Sequence, residues 1–86
     1  FEGVPQALVE ISLLADGLSI VNALVSQTGF LKSNNEARRA LTENAISVNQ
    51  KKVNINFTLG IKDLIAEKYI LLRKGKKNYF IIKVNL

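Results

Sequence analysis

The sequence of 86 residues predicts a small α+β domain, in which two packed helices cover a mostly antiparallel sheet of about four to five strands. Three observations predict this class. Apolar residues recur every three or four positions in the first half of the chain, which indicates helices. They alternate with polar residues in the middle of the chain, and they form two nearly continuous runs near its end, which indicates strands. The length suits one domain and not two.

The composition excludes several classes of protein. A hydrophobic content of 48% with 22% charged residues is typical of a folded domain and not of a disordered chain. No apolar run reaches the roughly 18 residues of a membrane span, and the first residues lack the pattern of a signal peptide. Since cysteine and histidine are absent, disulfides, thiolate zinc sites and Cys–His or Ser–His nucleophile pairs are excluded. We therefore expect no catalytic residue, no metal and no cofactor in this chain, and no membrane partner.

The charge is unevenly distributed along the chain. Residues 1–31 carry three acidic residues and no basic one, a net charge of −3. Residues 32–86 carry all twelve basic residues and four acidic ones, a net charge of +8. A basic segment of this kind suggests a polyanionic partner. The alternative at this point is that the charge serves solubility.

The sequence divides into residues 1–17, a linker with a short strand, and residues 18–86, a single domain. In the first segment, one polar residue interrupts the apolar run Leu8–Ser12, which favours a strand. The dipeptide Asp16-Gly17 then marks a turn. Because the sequence contains no methionine, even at its first position, we expect the natural polypeptide to begin upstream.

Two helices follow, and the apolar spacing gives each of them one buried face. Ser19 can cap the start of the first helix, and Gly29 can take the left-handed conformation that ends it. Ser33 and Glu36 form an S-x-x-E capping box, in which the serine accepts from the backbone three residues on and the glutamate reaches back to the serine amide. The second helix then presents a narrow apolar stripe, formed by Ala37, Ala40 and Leu41.

Alternation with period two over residues 46–58 predicts a β-hairpin with one solvated face. A four-residue loop, Asn49–Lys52, and a two-residue turn, Asn49-Gln50, keep the same faces. Glutamine is a poor choice where a turn needs positive φ, which counts against the shorter turn. In either arrangement, Lys51 and Lys52 lie at the exposed tip or just below it.

The last third of the chain predicts a short helical segment and a closing hairpin. Residues Ile61–Lys68 favour one or two helical turns. The apolar runs Tyr69–Leu72 and Tyr79–Ile82 predict adjacent antiparallel strands. Between them lies the turn Arg73–Asn78, which holds four basic residues and in which Gly75 supplies backbone freedom.

The second helix carries the first candidate binding residues. Arg38 and Arg39 lie about 100° apart around the helix, so both can face one groove. A guanidinium group can bind a phosphate through two hydrogen bonds. Lys32 and the free amides near Ser33 add positive potential at the helix start, where the dipole favours anions. The alternative for Arg39 is a salt bridge with Glu36 or Glu43, worth a few tenths of a kcal/mol.

The two turns carry the remaining candidates. Taken alone, Lys51 and Lys52 are typical of a solvated turn. The closing turn concentrates like charges whose repulsion a polyanion would relieve, and these residues are Arg73, Lys74, Lys76 and Lys77. Tyr79 can stack on a base, but in an apolar strand a core position is favoured. The predicted mode is an electrostatic grip on a structured RNA backbone, not base stacking.

The stretch SNNEARR, Ser33–Arg39, followed by AISVN, Ala45–Asn49, and a basic turn, resembles the αL RNA-binding motif that is named after a small-subunit ribosomal protein. The similar region spans residues 18–56. The motif occurs in ribosomal proteins, pseudouridine synthases, a heat-shock RNA-binding protein and bacterial tyrosyl-tRNA synthetases. The resemblance implies a small αL-motif RNA-binding fold.

The end of the chain narrows this resemblance. YILLRKGKKNY, Tyr69–Tyr79, is similar to the closing hairpin of bacterial tyrosyl-tRNA synthetases, here residues 69–84, and Gly3–Pro5 is similar to the linker before their last domain. This implies a C-terminal tRNA-binding domain that clasps tRNA(Tyr) between the anticodon stem and the long variable arm. We expect RNA contacts from ten residues: Lys32, Ser33, Arg38, Arg39, Lys51, Lys52, Arg73, Lys74, Lys76 and Lys77.

The same resemblance implies the context in which such a domain acts. An upstream catalytic domain attaches tyrosine to the tRNA using ATP, so that the parent protein is an aminoacyl-tRNA synthetase although this segment is not catalytic. Tyrosine and ATP bind in that catalytic domain. The resemblance further implies a cytoplasmic protein, a homodimeric parent and a monomeric isolated domain.

Two positions depart from the family pattern. The family usually has a basic residue where this chain has Asn34, so the resemblance does not imply a phosphate contact at this position. It usually has glycine where this chain has Gln50, which favours the longer hairpin loop. Two alternatives stay open, another αL-motif module that binds RNA or rRNA, and a basic module that binds a protein or an anionic membrane.

Overall fold

The computed structural model describes residues 3–85. Residues 1–2 of the predicted linker and residue 86 of the predicted domain lie outside the described residues. Most elements are short. In chain order they are β1 (Gln6–Glu10), α1 (Ile11–Asp16), β2 (Leu18–Ser19), α2 (Ile20–Leu24), α3 (Asn34–Thr42), β3 (Ile46–Val48), β4 (Lys51–Lys52), β5 (Thr58–Leu59), a 3₁₀ helix (Ile61–Asp63), β6 (Tyr69–Lys74) and β7 (Asn78–Asn85).

The main sheet has five strands in the order β1-β7-β6-β3-β4. The β1–β7 pair is parallel and the other three pairs are antiparallel. Strands β2 and β5 form a separate antiparallel pair. Helices α2 and α3 pack against each other. The predicted α+β class, with two packed helices and a mostly antiparallel sheet, is confirmed.

The core lies between the helices and one face of the main sheet. Alternate residues of the strands point to this face, because side chains in a strand alternate between the two sides. The helices contribute small and branched side chains, which lets α3 lie close to α2. The fully or almost fully buried members include Ile20, Ala23, Leu24, Ala37, Ala40, Ile46, Ile70, Leu72 and Ile82.

The first predicted helix begins as expected and ends early. The Ser19 side chain accepts a hydrogen bond from the Asn22 amide at 3.2 Å, and Gly29 has a φ of 72°. Regular helix stops at Leu24, however, and residues 25–28 are turns. The Thr28 hydroxyl donates to the carbonyl groups of Ala23 and Leu24, at 2.8 and 3.1 Å. Such side-chain bonds compete with the helical ladder, which explains the early end.

The N-terminal strand is present but shifted. It spans Gln6–Glu10, and the predicted strand residues Ile11 and Ser12 instead begin α1. Parallel pairing with β7, from Gln6 opposite Ile81 to Glu10 opposite Asn85, sets these limits. Helix α1 has no side-chain cap, so no capping signal marks it in the sequence. The boundary at residue 17 stays a prediction, although β1 is part of the main sheet.

The central hairpin has the two-residue turn and not the longer loop. Val48 lies opposite Lys51, and Asn49 and Gln50 both have positive φ, 50° and 74°. The Asn49 side chain stabilises the turn because it donates to the Asp63 carbonyl at 2.6 Å and accepts from the Leu71 amide at 2.9 Å. These tertiary bonds outweigh the local cost of positive φ at glutamine.

Two further expectations for this region are wrong. Ser47 lies on the face that the alternation predicts to be solvated, but it is only 1% exposed, and the Arg73 guanidinium donates to its hydroxyl at 3.4 Å. Residues 53–57 do not continue the second strand of the hairpin beyond β4, and residues 55–56 form a turn. The Phe57 carbonyl instead accepts from the Ile20 amide at 3.0 Å. The chain thereby crosses to the helical layer, where β5 pairs with β2.

In the last third of the chain the predicted hairpin is present, and the predicted helical segment is shorter than expected. The predicted helical turns reduce to the single 3₁₀ turn Ile61–Asp63. Strands β6 and β7 are antiparallel neighbours, with Leu72 opposite Phe80. Gly75 has a φ of 69°, as its position in the turn requires.

Candidate nucleic-acid interface

The start of α3 is fixed by Ser33 and Glu36. The Ser33 hydroxyl accepts from the Glu36 amide at 3.1 Å, as the capping box predicts. The glutamate does not return to the serine amide, however, because its Oε1 accepts from the Lys32 amide at 2.9 Å. The glutamate thus accepts from the amide one residue before Ser33, and this bond fixes the chain just before the helix.

Glu36 also connects α3 to the closing hairpin. Its Oε2 lies 3.3 Å from the Lys74 ammonium nitrogen, at the end of β6. The hydrogen bond from the Lys32 amide, followed by the one from Lys74, holds the pKa of the Glu36 carboxyl below its ordinary value. Both side chains of the ion pair are about a third exposed, at 34% and 38%, so the pair contributes little to stability by itself. The pair joins two basic segments, the start of α3 and the end of β6.

The two arginines of α3 are exposed on the side of the helix away from the core. Arg38 makes one long contact, 3.5 Å from its Nη1 to Asn35 Oδ1. Among residues 3–85, no salt bridge joins Arg39 to Glu36 or Glu43. Both guanidinium groups therefore present most of their donors to solvent.

The lysines of the central hairpin occupy β4, just below the turn, and both are exposed. Lys52 lies opposite Ser47, and Ser47 lies opposite Arg73. Arg73 in turn lies opposite Tyr79. Directly opposed residues share one face of a sheet. These four residues therefore form a row across the outer face, the face that points away from α2 and α3.

The four cations of the predicted closing turn lie in different places. Lys76 and Lys77 are exposed in the turn itself. Lys74 lies opposite Ile46, on the helix side of the sheet, where it reaches Glu36. Arg73 lies on the outer face, where its Nε is buried without a hydrogen-bond partner in the described structure. The ten predicted residues are thus distributed over the α3 side, the turn and the outer face, and not over one continuous face.

A groove separates the start of α3 from the closing turn, and we call it the closing-turn groove. Its volume is about 440 Å³. Charged and aromatic side chains both line it, a combination that sequence reasoning missed because its walls come from three distant segments. The lining residues are Gly3, Val4, Pro5, Phe30, Leu31, Glu36, Lys74, Lys77, Asn78 and Tyr79.

Comparison with known proteins identifies the family. The sequence profile of the tyrosine–tRNA ligase SYY-like C-terminal domain matches residues 1–82. The chain belongs to this family. The resemblance to the C-terminal domain of bacterial tyrosyl-tRNA synthetases is thereby confirmed.

Curated relatives agree with this assignment. The chain is similar to the tyrosine–tRNA ligase of Flavobacterium johnsoniae, with 55% identity over 98% of this chain and 20% of the relative. It is 51% identical to that of Flavobacterium psychrophilum, and 40% identical to that of Porphyromonas gingivalis, over the same shares. The relatives are aminoacyl-tRNA synthetases, and the chain spans about a fifth of their length.

Residues 3–85 contain neither a membrane-spanning helix nor a metal-binding cluster of side chains. No helix in this part of the chain has the length and hydrophobicity to cross a membrane. Within the same residues, His, Cys, Asp and Glu side chains form no group of three that could hold a metal ion.

Proposed function

We propose that this tyrosine–tRNA ligase C-terminal domain binds tRNA(Tyr), gripping the RNA backbone near the anticodon stem and the variable arm. A catalytic domain elsewhere in the parent enzyme then attaches tyrosine using ATP. The observation that carries the proposal is the exposed pair Arg38 and Arg39 on α3, whose guanidinium groups are almost free of protein partners.

Charge and geometry support a phosphate ligand at this pair. The acidic residue at the start of α3, Glu36, is already engaged by Lys32 and Lys74. The electrostatic potential there is consequently set by the unpaired cations. Each arginine can bind a phosphate through two parallel hydrogen bonds.

The other predicted residues extend this surface in two directions. Lys76 and Lys77 lie past the Glu36–Lys74 bridge, in the closing turn. Lys51 and Lys52 lie on the far edge strand, β4. We assign to them phosphate contacts that lie further along the RNA, because the cations do not converge on one point. An RNA backbone that follows these separated contacts is typical of a structured RNA that is recognised by its shape.

The context of the parent enzyme is part of the proposal. We place tyrosine and ATP in its catalytic domain and the enzyme in the cytoplasm. We further propose that the parent is a homodimer and that the domain alone is a monomer.

Charge reversal tests the proposal. Arg38→Glu/Arg39→Glu is compared with Lys68→Glu/Lys83→Glu, which changes the charge equally at exposed lysines outside the proposed set. We expect the first variant to lose most of its affinity for tRNA(Tyr) in filter binding and the second to keep most of it. Circular dichroism checks that both variants are folded.

Other results would contradict the proposal. Equal losses in the two variants would show that only net charge matters. Equal binding of tRNA(Tyr) and other tRNAs would favour a different αL-motif RNA binder. Stronger competition by anionic vesicles than by RNA at physiological salt would favour a membrane-binding module.

A further inference from the structure

We propose that the closing-turn groove binds an unpaired nucleotide of the RNA, with the base against Phe30 and its phosphate at Lys77. The inference rests on the proposed function, because RNA is the partner that supplies the nucleotide. It adds a base contact to a surface for which the sequence predicts contacts with the backbone alone.

The walls of the groove differ in chemistry. Phe30 is half-buried and packs against Phe80 with 5.3 Å between ring centroids, so its ring is held in place on the helix side of the sheet. Aromatic rings supply a flat apolar surface on which any base can stack. A volume of about 440 Å³ lies in the range of small-ligand sites, roughly 300–1,000 Å³.

The polar lining suits the edge of a base. Each oxygen of the Glu36 carboxylate accepts one hydrogen bond, from the Lys32 amide or the Lys74 ammonium group. A carboxylate oxygen can accept more than one, so each keeps acceptor capacity for an N–H group of a base. The Asn78 amide adds both donor and acceptor groups. The groove therefore offers hydrogen bonds as well as a stacking surface.

The charge of the lining accounts for the phosphate. Three charged side chains line the groove among the described residues, namely Glu36, Lys74 and Lys77. Glu36 and Lys74 neutralise one another, which leaves Lys77 as the uncompensated charge. An anion at the groove is consequently favoured at Lys77, in the exposed turn. A base without a phosphate would not pair with Lys77, whereas a nucleotide can contact both the aromatic wall and Lys77.

The position of the groove connects it to the proposed RNA path. It lies between the start of α3 and the closing turn, two segments that both carry proposed phosphate contacts. An RNA strand that passes from one segment to the other crosses the mouth of the groove. A nucleotide that is not base-paired at this point can turn its base inward.

Nuclear magnetic resonance tests the proposal on this 86-residue chain. The ¹⁵N-labelled chain is titrated with AMP, GMP, CMP and UMP in turn, and separately with inorganic phosphate. We expect at least one nucleotide to give saturable shifts at the amides of Leu31, Asn78 and Tyr79. Inorganic phosphate should move the Lys77 signal and leave the aromatic wall unchanged.

A matched pair of variants isolates the stacking contact. Phe30→Leu should raise the Kd of the nucleotide by about tenfold, because loss of a stacking ring typically has an effect of this size. Phe30→Tyr should bind like the unaltered chain. The ratio between the two variants should be independent of salt, whereas the effect of Lys77→Ala should shrink as salt rises.

The outcomes separate this proposal from the proposed function. If all four nucleotides leave the groove amides unchanged, or if inorganic phosphate reproduces the shifts, the groove proposal is wrong. It is also wrong if Phe30→Leu binds as tightly as Phe30→Tyr. Affinity for tRNA(Tyr) in filter binding judges the proposed function independently, since loss of the groove contact leaves the arginine pair intact.

Discussion

Two pairs of adjacent cations, Arg38-Arg39 and Arg73-Lys74, have the same chemistry in the sequence and different surroundings in the fold. The first pair lies in a helix, where neighbours are about 100° apart and can share a surface. The second lies in a strand, where neighbours point to opposite faces. Arg73 contacts Ser47 on the outer face, and Lys74 contacts Glu36 on the helix side. Adjacent charges thus share one surface only where the backbone allows it.

The difference predicts separate roles for the two pairs. The helical pair has most of its donors available for RNA, whereas each member of the strand pair already has a protein partner. Arg73 and Lys74 keep further donors and stay in the proposed RNA-binding set. We expect them to contribute more to stability, and less to RNA affinity, than Arg38 and Arg39.

The largest effect on stability should come from Arg73. Arg73→Ala removes the hydrogen bond to buried Ser47 and the packing of the long side chain, so we expect a loss of about 1–2 kcal/mol in the free energy of unfolding. Thermal denaturation should show a Tm lower by roughly 4–16 °C. Lys76→Ala, in the exposed turn, is the control and should leave Tm unchanged. Equal Tm values for the two variants would contradict a structural role for Arg73.

A smaller effect is expected at the turn that sets the register of β3 and β4. This register places Lys52 in the same row as Arg73. Gln50 has a φ of 74°, which glycine adopts at little cost, so Gln50→Gly should stabilise the domain by about 0.5–1 kcal/mol in urea unfolding. Gln50→Ala should give no such gain. A destabilised Gln50→Gly variant would show that the turn is not the two-residue one.

The smallest effect should come from Glu36, which joins the two regions. The Lys32 amide and Lys74 lower the pKa of its carboxyl in the folded state. Its contribution to stability is therefore present above its ordinary pKa and is lost as pH falls through the lowered folded pKa. Urea unfolding as a function of pH should show this acid loss in the native chain and less of it in Glu36→Gln. Identical pH profiles would show that the ion pair is not formed in solution.

The sequence predicted those features that depend on local chemistry. Caps at Ser19 and Ser33, the buried stripe of α3 and the closing hairpin all follow from patterns within a few residues. The features that were missed depend on distant partners. Asn49 supports a positive-φ turn through bonds to Asp63 and Leu71, which are 14 and 22 residues away.

The candidate site shows the same limit. Residue type and spacing singled out the basic residues, but they could not show which of them have protein partners. Glu36 pairs with Lys74 across 38 residues, and Arg73 reaches Ser47 across 26. The closing-turn groove likewise combines residues near positions 4, 30 and 78, which no local pattern connects.

The salt dependence of tRNA(Tyr) binding tests the contrast between the two pairs most directly. The slope of log K against log salt counts the neutralised phosphates, at about 0.7–0.9 for each. We expect Arg38→Ala/Arg39→Ala to reduce the slope by about 1.4–1.8, and Arg73→Ala/Lys74→Ala to reduce it by clearly less. An equal or larger reduction in the strand variant, with both variants folded, would contradict the account.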